Sequence, residues 1–191
     1  MYDEAYYNSM NYADYLSRSE RYNRTAKEIT NLLESLCLIN EDSTFLDYGC
    51  AVGFLAKSLT SIGYDCLGYD ISQWAVDQAR SKGVSILDEP KGSFDCIFYL
   101  DVIEHMSDEE IETVFNNCKS KCSIVRIPCS TDGGNTYHLK VSNQDPTHIN
   151  CKTKDQWKSF FKSIGVVSII HINTYTIYDS DGVMCALLIN E

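Results

Sequence analysis

A chain of 191 residues with 44% hydrophobic and 23% charged side chains has ordinary globular composition and enough length for a full core, which excludes wholesale disorder. Sixteen basic against 27 acidic residues leave a net charge of −11, which repels polyanions, so neither nucleic acid nor an anionic membrane is expected as a partner. No apolar run reaches membrane-spanning length, and the start, MYDEAYYNSM, is acidic and aromatic rather than basic then apolar, so export and anchoring are not expected either.

From Tyr12 to Leu36 the residues Tyr12, Tyr15, Tyr22, Ala26, Ile29, Leu33 and Leu36 recur every three or four positions, the apolar face of a long helix. STFLDY then reads as a strand, and GFLAKSLTSIG as a helix stopped by Gly63. YDCLGYD is a second strand, followed by a helix with Ser72 as N-cap and Gly83 beyond its end. VSIL is a short third strand, and FDCIFYL a fourth whose near-continuous apolar run suits a buried parallel strand. Ser107 with Glu110 forms a capping box opening the next helix, and CSIVRIP is a fifth strand. The polar stretch from Cys129 to Asn150 has no period. Thr153 with Gln156 caps a further helix, ended by Gly165, and VVSIIHINTYTIY and GVMCALLIN close the chain as strands around the hairpin signal DSDG.

This alternation implies an α/β fold with a doubly wound, mostly parallel sheet of seven strands, the closing hairpin adding an antiparallel strand. With no repeat, low-complexity tract or linker to divide it, the chain is expected to be a single domain over 1–191, with a helical cap at about 1–40. The nine cysteines are scattered, without a C-x-x-C pair or a histidine at zinc spacing. Reduced, mostly buried thiols in a cytoplasmic protein are expected, and no metal.

The stretch FLDYGCAVG, Phe45 to Gly53, lies where the first strand turns into the first helix, the usual ligand crevice of such sheets. A dinucleotide fingerprint places its last glycine five residues after the first; here Gly53 is only four after Gly49, and Asp47 just before the turn would repel a pyrophosphate. A ligand with a positive amino group and no phosphate fits better. LDYGCAVG resembles the first motif of class I S-adenosylmethionine-dependent methyltransferases, with Ala51 where a middle glycine is usual. Asp70, ending LGYD, matches that family's ribose-binding acid, and FDCIFYLDVIEHM is similar to its fourth motif, particularly in small-molecule and glycan methyltransferases. The resemblance covers about residues 43 to 191.

It implies a Rossmann-like methyltransferase fold with S-adenosylmethionine as cofactor. Gly49, Ala51 and Gly53 would line the methionine end and Asp47 would hold its amino group. Asp70 would accept from the ribose hydroxyls, Ile71 would pack on adenine, and Asp88 would accept from the adenine amino group. The tip of the fourth strand, beginning at Leu100, would face the methyl, with Asp101, Glu104 and His105 its titratable groups; Glu104 and His105 could equally serve only to fix the helix start. QDPTHIN resembles a D-x-T-H element of some glycan-modifying members, which makes His148 the favoured general base, oriented by Asp145, with His105 the alternative. The loop carrying Tyr137, His138 and Asp145 is rich in hydroxyls and amides with Lys140 its one cation, an inventory suited to a sugar or other small polar acceptor, with Tyr137 available to stack. The tyrosines near the start, Tyr7, Tyr12 and Tyr15, could form a lid or simply pack a helix on the sheet. His171 reads as structural. An enzyme methylating a sugar, nucleotide-sugar or small-molecule hydroxyl is favoured; a non-catalytic module that binds the cofactor and acts through a protein partner is the alternative. The oligomeric state is left open.

Overall fold

The computed structural model describes residues 2–8 and 17–190. Its strands are β1 (Thr44–Tyr48), β2 (Asp65–Tyr69), β3 (Ser85–Ile86), β4 (Gly92–Leu100), β5 (Cys118–Pro128), β6 (Val166–His171) and β7 (Val183–Asn190). Its helices are α1 (Glu4–Tyr7), α2 (Ser19–Ser35), α3 (Phe54–Ser61), α4 (Gln73–Ser81), α5 (Asp108–Asn117) and α6 (Lys154–Ser163). The strands form a seven-stranded sheet in the order β3-β2-β1-β4-β5-β7-β6. β1 and β2 pair in parallel, as do β2 and β3, whereas β7 runs antiparallel to both β5 and β6. This is the α/β sheet that the alternation predicts. Every residue of β7 from Val183 to Leu188 is buried, as a strand covered on both faces requires.

The chain packs as two compact units: one runs to Pro90 and includes Phe94–Ile97, the other comprises Lys91–Ser93 and everything from Phe98 on. In the first unit α2 buries Ala26, Ile29 and Leu33 on one face, as the periodicity predicts. It begins at Ser19, however, and Leu36 is its exposed C-cap; Tyr12 and Tyr15 lie outside the described residues. The N-terminal segment instead forms the single-turn α1, capped by Asp3, whose carboxylate accepts from Tyr6 N–H at 3.0 Å. Ser72 caps α4 as expected, accepting from Ala75 N–H at 3.1 Å.

In the second unit both predicted capping boxes form, Ser107 with Glu110 on α5 and Thr153 with Gln156 on α6. Trp157 and Phe161 of α6 are fully buried, and Phe115 of α5 stacks on Tyr99 at 5.2 Å. Two strands differ from the sequence reading. β5 starts at Cys118, because α5 passes into it through an extended C-cap with no turn residue between. β6 stops at His171 rather than continuing to Tyr178. There Asn173 accepts from Asp179 N–H at 3.1 Å and Thr174 exchanges hydrogen bonds with Ile177, so side chains satisfy backbone groups that a longer ladder would have used.

Candidate active site

The turn after β1 is built from left-handed backbone. Gly49, Ala51 and Gly53 have φ of 76°, 48° and 79°. Gly49 and Cys50 donate their N–H groups to the Tyr69 carbonyl at 2.7 and 2.9 Å, which ties the turn to the end of β2. The turn demands at position 51 a conformation that costs an alanine about 1–2 kcal/mol. Its departure from the usual glycine is therefore felt as backbone strain. The Ala51 methyl is used: it packs with Tyr2, Tyr6, Tyr7, Val52 and Trp74 in one apolar cluster. Tyr7 stacks on Trp74 at 5.2 Å, so the N-terminal tyrosines seat α1 against this turn. Gly53 also has a packing role, because a Cβ there would stand 2.8 Å from Val84 Cγ2 and 2.9 Å from Ala79 Cβ.

Asp47 is 5% exposed, and its Oδ2 accepts from Ala56 N–H at 3.2 Å in the first turn of α3. Burial pushes its carboxyl up to about 7 despite that bond, with nearby Asp70 adding to the rise. A cationic amino group is the partner such a carboxyl lacks. Asp70 accepts from Ala51 N–H and from Ser72 N–H, both at 2.8 Å, one on each oxygen. Each oxygen keeps a further lone pair for a ribose hydroxyl. Burial raises this carboxyl too. Ile71 beside it is 69% exposed, an unusual place for a large aliphatic side chain and a ready apolar seat for adenine. These residues fit the cofactor implied by the sequence. Asp88 does not: it is exposed and pairs with Arg80 at 3.2 Å, so its carboxylate is turned to a surface ion pair instead of an adenine subsite.

In the second unit β4 ends at half-buried Leu100, and Asp101 follows with φ of 58°. Asp101 donates its N–H to the Arg126 carbonyl at 2.8 Å, and its carboxylate is bonded to the Arg126 guanidinium. That ion pair commits Asp101 to holding the strand end, which corrects its assignment as a catalytic group. A 3-10 turn, Ile103–His105, follows. Glu104 on it is fully buried, and neither carboxylate oxygen finds a hydrogen-bond partner. Burial holds its carboxyl well above the ordinary carboxylate range, and the Asp101 charge adds to this. The Glu104 carbonyl accepts from Ile149 and Asn150 N–H, both at 3.0 Å, which clamps the loop 145–150 beside it.

His105 Nδ1 lies 2.9 Å from Thr147 Oγ1 and 3.2 Å from the Thr147 carbonyl. A carbonyl can only accept, so the network assigns the proton to Nδ1 and the lone pair to Nε2. Burial pushes His105 down to about 4, with the His148 ring adding to the fall, so it is neutral at neutral pH. The two rings meet edge to face with centroids 4.5 Å apart. Burial lowers His148 as well, leaving it a neutral base. Its Nε2 is 4.0 Å from Glu104 Oε1 and 3.9 Å from Asp145 Oδ2. The Asp145 carboxylate thus stands beyond hydrogen-bond reach of the His148 ring, although the Asp145 carbonyl accepts from His148 N–H at 3.2 Å. Its Oδ1 accepts instead from Thr147 N–H at 2.9 Å and Thr147 Oγ1 at 2.5 Å, so Asp145 orients Thr147, and Thr147 orients His105.

A cleft of about 430 Å³ opens on this group, lined by Asn135, Tyr137, Asn143, Asp145, His148 and Asn150 among others and by no lysine or arginine. Tyr137 is 6% exposed with its ring edge-on to His148 at 5.3 Å, so it offers no stacking face, although its buried hydroxyl has no hydrogen-bond partner. Asn143 exchanges backbone bonds with Tyr137 and pins it. His138 is outside the cleft, exposed and packed where a Cβ on Gly182 would meet its ring at 2.7 Å, so it is no substrate ligand. His171 pairs with Asp179 at 2.8 Å, the structural role expected of it. Sequence reasoning missed Thr147, Arg126 and Asn143. A signal existed for Thr147 alone, as the hydroxyl inside DPTH.

A family model described as a methyltransferase domain matches residues 17–169, most of the chain. No curated protein matches it. Among solved structures, magnesium protoporphyrin IX methyltransferase from Synechocystis PCC 6803 with bound S-adenosylhomocysteine aligns at 18% identity and a TM-score of 0.60, covering 90% of this chain and 84% of that one. An S-adenosylmethionine-dependent methyltransferase from Clostridium acetobutylicum aligns at 14% and 0.65, covering 97% and 96%. Mitomycin 7-O-methyltransferase aligns at 12% and 0.62, covering 95% of this chain and 56% of that one. Within the described residues no helix is long and apolar enough to cross a membrane. The strand order, the turn after β1 and the family match agree: this chain belongs to the methyltransferase-domain family and is a class I S-adenosylmethionine-dependent methyltransferase.

Proposed function

We propose that this enzyme transfers a methyl group to a hydroxyl of a small polyhydroxyl acceptor, a sugar or the sugar ring of a nucleotide-sugar. The observation that carries this reading is the cleft at His148, with its amide, hydroxyl and imidazole lining and its lack of a cation. Its volume suits a single sugar ring rather than a polymer. An apolar acceptor would leave the buried Tyr137 hydroxyl and His148 Nδ1 unpaired, and a polyanion would meet no counter-charge.

S-adenosylmethionine supplies an electrophilic methyl on a sulfonium. The protein's share is to position the reactants and to receive the acceptor's proton. Asp70 orients the ribose, Asp47 the amino group, and Ile71 covers adenine. Neutral His148, on the cleft wall, accepts the hydroxyl proton or helps deliver it to the group formed with Glu104 and His105. The buried Tyr137 hydroxyl is available to an acceptor oxygen.

The test is release of S-adenosylhomocysteine across a panel of neutral sugars, nucleotide-sugars, phenols and acyl compounds, with mass spectrometry locating the methyl. Turnover confined to polyhydroxyl acceptors, with a raised KM in Asn143→Ala, is expected. Turnover only on apolar or polyanionic acceptors overturns the reading.

A further inference from the structure

Glu104 poses a question that acid–base chemistry leaves open. A fully buried carboxyl with no hydrogen bond to either oxygen is costly in either protonation state, and a well-packed apolar residue in its place would be more stable. The Arg126 guanidinium, whose charge reaches Glu104, is committed to Asp101. Among the described residues nothing supplies the missing partner.

The groups around Glu104 say what it is. Ligand atoms of Glu104, His105 and His148 lie within 4.8 Å of one another. Thr147 holds the proton of His105 on Nδ1, the arrangement that turns Nε2 of an imidazole into a metal ligand. His148 Nε2 points between Glu104 Oε1 and Asp145 Oδ2. Two imidazoles and one carboxylate, with a second carboxylate adjacent and one side open to a polar cleft, form a recognised donor set for a first-row divalent ion with vacant positions. We infer that Glu104, His105 and His148 bind one divalent transition-metal ion, of the Zn²⁺ or Mn²⁺ class, with its open positions toward the cleft.

Ligand distances of about 2.0–2.2 Å require the three atoms to draw in by under about 1 Å, within reach of side-chain adjustment. Two nitrogen donors disfavour Mg²⁺ and Ca²⁺. The site's catalytic use rests on the hydroxyl-methylation reading: an acceptor hydroxyl bound to the ion would lose its proton more readily, to solvent or to Asp145, and His148 would then hold the ion instead of taking the proton itself. Binding of the ion does not depend on that reading.

The experiment titrates chelator-stripped protein with MnCl2 and with ZnCl2 in the absence of cofactor and acceptor, following stoichiometry by calorimetry and Mn²⁺ by paramagnetic resonance. One equivalent per chain is expected. Glu104→Gln should weaken binding more than ~100-fold, and Thr147→Val, which touches no metal, by ~10–100-fold through loss of the His105 tautomer. His171→Asn should leave it unchanged. Cofactor affinity, read in parallel, reports that each variant is folded. Absence of stoichiometric binding, or binding that survives Glu104→Gln in a folded protein, overturns the inference. Methyl transfer to a polyhydroxyl acceptor without any bound ion would overturn the ion's catalytic use while sparing the acceptor assignment.

Discussion

Asp47 and Glu104 are both carboxyls taken out of water just where a strand gives way to a turn, yet their surroundings differ. Asp47 keeps one hydrogen bond, from Ala56 N–H nine residues on, and its neighbours are the left-handed turn of the same segment. Glu104 has none, and the groups close to it come from a loop some 40 residues later. The first carboxyl belongs to a cradle assembled from continuous chain. The second belongs to a cluster that exists only once two distant segments have met. A carboxyl of the first kind is tuned by its own motif, and one of the second kind is only as good as the loop that reaches it.

The largest effect expected from that contrast concerns separation of functions. His148→Asn should lower turnover by ~10²–10⁴ while cofactor affinity stays within twofold of about unchanged, because the ring it removes touches only the loop cluster. A parallel loss of cofactor affinity, measured by calorimetry, would show that the two regions are not independent. An intermediate effect is expected at the cradle. Asp70→Ala should weaken S-adenosylmethionine by ~1.5–3 kcal/mol, since it removes the ribose acceptor and releases Ala51 N–H at once. Asp70→Asn, which keeps one acceptor oxygen, should cost less. Equal losses in the two variants would mean that the carboxylate contributes charge rather than hydrogen bonds. Turnover at saturating cofactor should survive both.

The smallest effect is a pH dependence. Burial raises Asp47 to about 7, so below that value the cofactor-free protein carries it protonated. A cationic amino group prefers the carboxylate, so binding must release up to one proton. Affinity should therefore rise with pH, at most about tenfold per unit, and level off above about 7. Calorimetry in two buffers of different ionisation enthalpy counts the proton. Asp47→Asn should abolish the slope. An affinity flat from pH 5 to 8 in the unsubstituted protein would remove Asp47 from the amino-group site.

The sequence by itself determined the elements whose hydrogen bonds close within a few residues. Both capping boxes and the Ser72 N-cap form as their spacing demands, because each donor meets an acceptor three positions away. The alternation of strands and helices likewise carried the sheet, and the acid at the end of β2 carried its place beside the turn. Tertiary structure alone decided the rest. It drew Asp88 to Arg80 and Asp101 to Arg126, seated His138 on Gly182, and stopped β6 at His171. It also joined His105 to Thr147 across 42 residues, where DVIEHM and DPTHIN gave candidates but no contact. The reason is entropic. Closing so long a stretch of chain is unfavourable until packed strands repay it, so the meeting of those segments is written in the whole core and in no single motif.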